Sequence, residues 1–246
     1  MKRMVNQVYA CLVVIGLWQP LYLMIGEPMV PSLLSTTERF IFLLQHDLIH
    51  HILYSFYRIF ISVILSLFIG VPIGILIGWN HKSDQLISPV IYLLYPIPKI
   101  AFLPIFMVLF GINDASKIIL MVTILVFQIM IATRDGVKQI DQSILHAATM
   151  MELNTFQWLW HIILPAISLN LFSALRISTG IAISALFFSE NYATRYGIGY
   201  FIMNAWSMVD YKDMFSGVIA LSLLSLGIYK GLDLLQLICC PWLRKK

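Results

Sequence analysis

The chain has 246 residues, 60% of them hydrophobic and only 11% charged. Soluble domains carry about 25% charged residues, so this composition excludes a water-soluble globular protein and points to an all-α membrane protein. The formal net charge of +4 bears on membrane topology rather than on nucleic-acid binding, because lysine and arginine are retained on the cytoplasmic side. Lys2 and Arg3 precede an apolar run from about Val8 to Ile25. It is long enough to span a bilayer and is followed by no small-x-small cleavage pattern, which predicts a retained signal anchor as the first span.

Glu27 to His51 is the first polar segment and is expected outside the membrane. His46, His50 and His51 fall at i, i+4, i+5, a spacing that two imidazoles of a metal site would share. No cysteine or carboxylate completes the set at close spacing, so a surface-lying amphipathic helix is expected and no metal site. The second span covers about Leu53 to Trp79. Gly70, Gly74 and Gly78 recur in it every four residues, the pattern by which helices approach closely in lipid. Arg58 sits near its outer end, where it must snorkel or pair.

A short turn from Asn80 to Asp84 leads to a third span, about Ile87 to Leu109. Pro96, Pro98 and Pro104 interrupt it, with Lys99 beside the break. Such a break needs neighbouring helices or a water-filled cavity to satisfy the freed carbonyls. Lys99 is therefore either a pathway-lining charge or a side chain of a kinked packing helix that reaches an interface. The fourth span is about Ile118 to Ala132, the fifth about Ala166 to Phe188, and the sixth about Met214 to Cys240. Arg176 lies within the fifth and Glu190 at its end. Fourteen positions separate them, about 21 Å along a helix, so each needs a partner on another span or water. Gly197 and Gly199 in GIGYF permit a tight turn or close helix contact. Cys11, Cys239 and Cys240 show no metal-ligand spacing and read as small buried hydrophobes.

Between the fourth and fifth spans lies a polar interruption, DQSILHAATMMELNTFQWLWHIILP, from Asp141 to Pro165. Unpaired polar groups here cost several kcal/mol in hydrocarbon, so the stretch is expected outside the bilayer. Phe156, Leu159, Trp160 and Ile163 share one helical face, and Asn154 stands three residues before Gln157, a capping-box pairing. Two short helices are expected, with Pro165 starting the next span. With both termini inside, the inner segments hold Lys2, Arg3, Lys82, Arg134, Lys138, Arg244, Lys245 and Lys246, against Arg39, Lys117, Arg195 and Lys212 outside. This asymmetry predicts six spans, cytoplasmic termini and a cytoplasmic polar elbow in one transmembrane domain, residues 1–246.

PIPKIAFLPIFMVLFGINDASK at 96–117, GVKQID at 136–141, HAATMMELNTFQWLWHIILP at 146–165, ALRISTGIAISALFFSE at 174–190 and GIGYFI at 197–202 together carry a family resemblance. The chain resembles the membrane permease of bacterial binding-protein-dependent ABC importers. Its nearest likeness is to the branch that serves sulfonates, taurine, nitrate and thiamine pyrimidine precursors. The resemblance implies a homodimeric pore in the inner membrane, two cytoplasmic ATPase subunits, and a periplasmic or surface-tethered binding protein. It implies no cofactor and no catalytic residue in this chain, and the sequence holds no GxxxxGK[ST] phosphate loop of its own. The elbow matches the family's ATPase-coupling loop through Ala147, Ala148, Leu164 and Pro165. His146 stands where the family has glutamate, and Glu152 where it has glycine. A non-glycine residue takes a positive φ only at a cost, so a different turn is expected at Glu152. Phe156 and Leu159 are the expected buried anchors, and Lys99, Arg176 and Glu190 the pathway candidates. The rival readings are an ion-gradient-driven secondary transporter, which also uses broken helices, and an intramembrane enzyme, for which no HExxH or paired-carboxylate motif is present.

Overall fold

The computed structural model describes residues 13, 16–192 and 194–241. Residues 8–12, 14 and 15 of the predicted first span, Cys11 among them, therefore lie outside the described residues; its remainder, residues 16–25, is helical. The described elements are α1 (Leu33–Leu44), α2 (Leu48–Trp79), α3 (His81–Leu94), a 3-10 turn (Lys99–Phe102) and α4 (Leu103–Phe110). They continue with α5 (Asp114–Lys138), α6 (Gln142–Met150), α7 (Thr155–Trp158), a π turn (Leu159–Ile163), α8 (Leu164–Glu190), α9 (Ile198–Ser207) and α10 (Tyr211–Cys239). Among the described residues, four helices are long and apolar enough to cross a membrane, and the pair α3 with the Lys99–Phe110 segment, bent by 83°, makes up to five.

Several helices outrun their predicted bounds. α2 begins at Leu48 rather than Leu53, because no breaker separates the two and the histidines are accommodated within its first turns. α5 begins at Asp114 because the Asn113 side chain accepts from the Ala115 N–H at 2.9 Å, so Lys117 lies inside a helix and not in an outer loop. The chain divides into two compact units.

The first unit comprises the described parts of Met1–Ser55 and Glu190–Leu224. Arg39 of α1 forms a two-pronged ion pair with Asp213, at 2.5 and 3.0 Å, and that carboxylate raises the guanidinium pKa. The Trp18 and Phe215 rings meet at 5.0 Å, and the Trp18 indole N–H donates to the Pro31 carbonyl.

The second unit comprises Phe56–Ser189 and the described part of Ser225–Lys246. The glycine ladder behaves as predicted: α2 packs against α5 along it. A Cβ at Gly70 would lie 2.7 Å from Ile129 Cγ2, one at Gly74 2.6 Å from Thr133 Cβ, and one at Gly78 2.7 Å from Val137 Cβ. Below this seam Ile77, Ile91 and Met130 form one apolar core, and Leu103, Leu120 and Ala185 another. Arg58 is buried and donates to Asp114 at 2.6 and 2.8 Å, so it pairs rather than snorkels. Arg134 and Lys138 of α5 both donate to Asp84 of α3, at 2.6 and 2.5 Å, and Arg134 also donates to the Tyr92 hydroxyl at 2.8 Å. These pairs tie the first turn of α3 to the last turns of α5.

Candidate functional site

The elbow is built by caps. Asp141 accepts from the Ser143 N–H at 2.8 Å and starts α6; that bond holds its carboxyl below the usual carboxylate range. α6 ends at Met150 and is capped by Met151, whose N–H reaches the Ala147 and Ala148 carbonyls at 3.2 Å. Glu152 then takes φ +50, the left-handed conformation that usually goes to glycine after a helix. Glutamate here adopts that conformation itself, in the turn between the two legs of the elbow. The Asn154–Gln157 capping box is present, with bonds of 2.8 and 2.9 Å in the two directions.

The second short helix is not separate. Thr155–Glu190 is one helix of 36 residues, about 54 Å long at 1.5 Å per residue. Pro165 therefore lies within it instead of opening a span. The π turn at Leu159–Ile163, just before it, widens the backbone where proline would otherwise break the ladder. Leu159 and Leu164, both partly buried, pack onto the core of Val137, Ile163 and Ile167. Phe156 is 67% exposed, and Met150 and Met151 are exposed as well. Ala148 is buried in the crook of the elbow, while Ala147 lines the cleft between its two legs with Ile144, Gln157 and His161. His146 is exposed, and its carbonyl accepts from the Thr149 hydroxyl at 2.7 Å.

Glycine at position 152 should relieve the left-handed strain. Glu152→Gly is expected to stabilise the end of α6 by about 1 kcal/mol, read as roughly fivefold slower amide exchange there. Unchanged exchange would show that the turn carries no strain.

The intramembrane charges divide into distinct tasks. Lys99 donates to the Leu94, Tyr95 and Ile97 carbonyls, at 2.5, 2.7 and 3.0 Å. All three of its protons close the frayed C-terminal end of α3, where a cation also opposes the helix dipole. Its Nζ lies 4.9 Å from the centre of the Phe127 ring. Lys99 also lines a cavity of about 390 Å³. Arg176 pairs with Asp233 at 2.7 Å and donates to Gln236, both on α10. Sequence reasoning passed over Asp233; an acid in an apolar span that needed a base was the available signal.

Glu190 is 1% exposed and enclosed. Its oxygens accept from the Ser55 hydroxyl at 2.8 Å and the Gly199 N–H at 2.8 Å. The Ser55 hydroxyl oxygen accepts from the Ile198 N–H at 2.9 Å, and His51 Nδ1 accepts from the Gly197 N–H at 3.0 Å. Consecutive N–H groups at the start of α9 thus have side-chain acceptors from α2 and from the end of α8. His51 is buried and serves this cap, not a surface helix. Cys240 is buried but Cys239 is exposed, a correction for the latter; both are free thiols. Among the described residues no three histidine, cysteine or acidic groups are placed to hold a metal.

Among the described residues the chain is helical, with a broken apolar span, a capped polar elbow and paired charges on its long apolar helices, an architecture that suits a membrane transport subunit. Residues 70–245 match the family of binding-protein-dependent transport system inner membrane components, and the chain belongs to that family. It is accordingly a multi-pass inner-membrane permease of the ABC-importer class, in which a separate ATPase carries out ATP hydrolysis. It is 28% identical over 72% of its length to the putative aliphatic sulfonates transport permease SsuC of Bacillus subtilis, and spans 64% of that protein. It is 27% identical over 78% of its length to the taurine transport system permease TauC of Escherichia coli, spanning 70% of it. It is 26% identical over 96% of its length to the formylaminopyrimidine transport permease ThiX of Halalkalibacterium halodurans, spanning 94% of it. The fold matches a chain of the inward-facing MetNI methionine ABC transporter with a TM-score of 0.67, at 19% identity, over 78% of this chain and 95% of that one.

Proposed function

We propose that two copies of this chain form a pore through which a small solute, delivered by a periplasmic or surface-tethered binding protein, crosses the inner membrane. Each copy makes six passes with cytoplasmic termini, and residues 141–165 enter a groove on the ATPase. Closure of the ATPase dimer on ATP then rocks the spans between inward- and outward-open states. The observation that carries this reading is the construction of the elbow. Its exposed Met150, Met151 and Phe156 offer an apolar contact, and the leg behind them runs unbroken as the helix Thr155–Glu190. A push at one end of such a rod is delivered to the spans. Family membership sets aside the gradient-driven transporter and the intramembrane enzyme.

The Arg176–Asp233 pair supports the homodimer and the pathway. The Asp233 side chain is 61% exposed on the side of a span, and a carboxylate does not face hydrocarbon. In the assembled pore it faces a second copy or pathway water. Lys99 and Arg176 remain the pathway candidates; the enclosed Glu190 acts by holding α9 in place.

Ala147→Asp tests the coupling. A charge placed in a closed protein contact costs several kcal/mol, so ATPase binding should weaken by at least about tenfold while the permease still inserts. The measurement is co-purification of the ATPase with the tagged permease, together with uptake. Full ATPase binding and full uptake by the variant would show that the elbow is not the coupling surface.

A further inference from the structure

The break in the third span has to satisfy its own backbone inside a membrane. In a continuing helix the N–H of residue 98 would reach the Leu94 carbonyl, but Pro96 and Pro98 have no N–H to give. α3 stops there, and the chain bends by 83° into the Lys99–Phe110 segment. One side chain supplies the missing donors. The Lys99 ammonium donates to the Leu94, Tyr95 and Ile97 carbonyls at 2.5, 2.7 and 3.0 Å, which engages all three of its protons. The Phe127 ring of α5 lies 4.9 Å from Nζ and the Tyr95 ring 5.9 Å, so two aromatic faces complete the enclosure.

The seat also joins the bend to its neighbours. The Tyr95 hydroxyl accepts from Gln128 Nε2 of α5 at 2.6 Å, which holds the end of α3 against the same helix that supplies Phe127. Residues 95 and 97–100 line the cavity of about 390 Å³, together with Ser184 and Phe188 of α8. Where the ammonium sits therefore sets the shape of that wall. Three convergent carbonyls suit the three donors of a primary ammonium; the planar fork of a guanidinium does not match them.

We infer that the end of α3 is a primary-ammonium site whose ligand is the chain's own Lys99. Lys99 is then a positioning residue of the permease: it holds the bend, and through the bend the cavity wall, without touching the solute. The inference rests on the permease reading only in placing that cavity on the solute's path; the site itself is tested on the purified chain.

The test is chemical rescue. Lys99→Ala empties the seat, and methylammonium carries the same three donors without the stem. In the alanine variant, amide exchange at residues 97–102 is expected to quicken at least about tenfold, and saturating methylammonium to restore it. Tetramethylammonium, with the same charge and no donor, should restore nothing, and Lys99→Arg should exchange as fast as the alanine variant. Isotope-labelled methylammonium, followed by NMR, should bind the alanine variant at least about tenfold more tightly than the parent chain, where the seat is taken. Parental exchange in the alanine variant, no restoration by methylammonium, equal restoration by tetramethylammonium, or equal binding to the parent chain would overturn the inference. Should the alanine variant not purify, the parent chain carries the test. Reductive methylation of Lys99 is expected to run at least about tenfold slower than that of the exposed Lys82, and equal rates would overturn the inference likewise. Absence of an ATPase from the purified complex would instead count against the importer reading and leave these results standing.

Discussion

Replacing Gly74 with leucine is expected to leave no folded permease to purify. A Cβ at this position would lie 2.6 Å from Thr133 Cβ and 2.8 Å from the Met130 carbonyl oxygen, and the second of these is backbone. No rotamer change clears a carbonyl, so α2 and α5 must separate. Overpacking of this kind costs about 1–3 kcal/mol for modest additions, and leucine adds a whole side chain. Separation would also disturb Gly70 and Gly78, whose Cβ positions are equally blocked by α5. In a membrane no hydrophobic effect drives the helices back together, because lipid tails are as apolar as leucine. Gly227 is the control: nothing lies within 4 Å of a Cβ placed there, so Gly227→Ala should purify like the parent chain. Gel filtration and thermal unfolding of the detergent-solubilised proteins make the comparison. A monodisperse Gly74→Leu protein with parental stability would show that the ladder is not the α2–α5 contact.

The second large effect is expected at the start of α9. Gly197 has φ +156, and a Cβ on it would lie 2.4 Å from Glu190 Cδ. Gly197→Ala combines a strained backbone, at about 1–3 kcal/mol, with a collision against an enclosed carboxylate. It should release α9 from its cap. Glu190→Leu attacks the same joint from the other side, leaving the Gly199 N–H and the Ser55 hydroxyl without their carboxylate. Each buried polar group so stranded costs about 1–3 kcal/mol. Glu190→Gln keeps an acceptor and should recover most of the loss. Hydrogen exchange at residues 198–207 reads the result directly. Slow exchange there in both Gly197→Ala and Glu190→Leu would show that this cap does not hold α9.

Much of this architecture was legible in the residues, because a bilayer leaves few options. A spanning chain must satisfy its backbone internally, so long apolar runs are helices, and the runs near 53–79, 118–132, 166–188 and 214–240 fall on helices. Where bounds moved, capping side chains such as Asn113 extended the helix. The glycine ladder, the break before Lys99 and the Asn154–Gln157 box were readable because each depends on neighbours a few residues away.

The composition by itself determined that the protein is membrane-embedded, its long apolar runs determined that it is helical, and the order of its motifs determined its family. Only the tertiary structure decided what its charges do. Lys99 closes a helix end, Arg176 answers Asp233, and Glu190 holds the first amides of α9, whose other acceptors come from residues about 140 positions earlier in the chain. Local pattern reports a charge in a span and the need for a partner. The partner itself is set by which helices pack together, and that is a property of the whole chain.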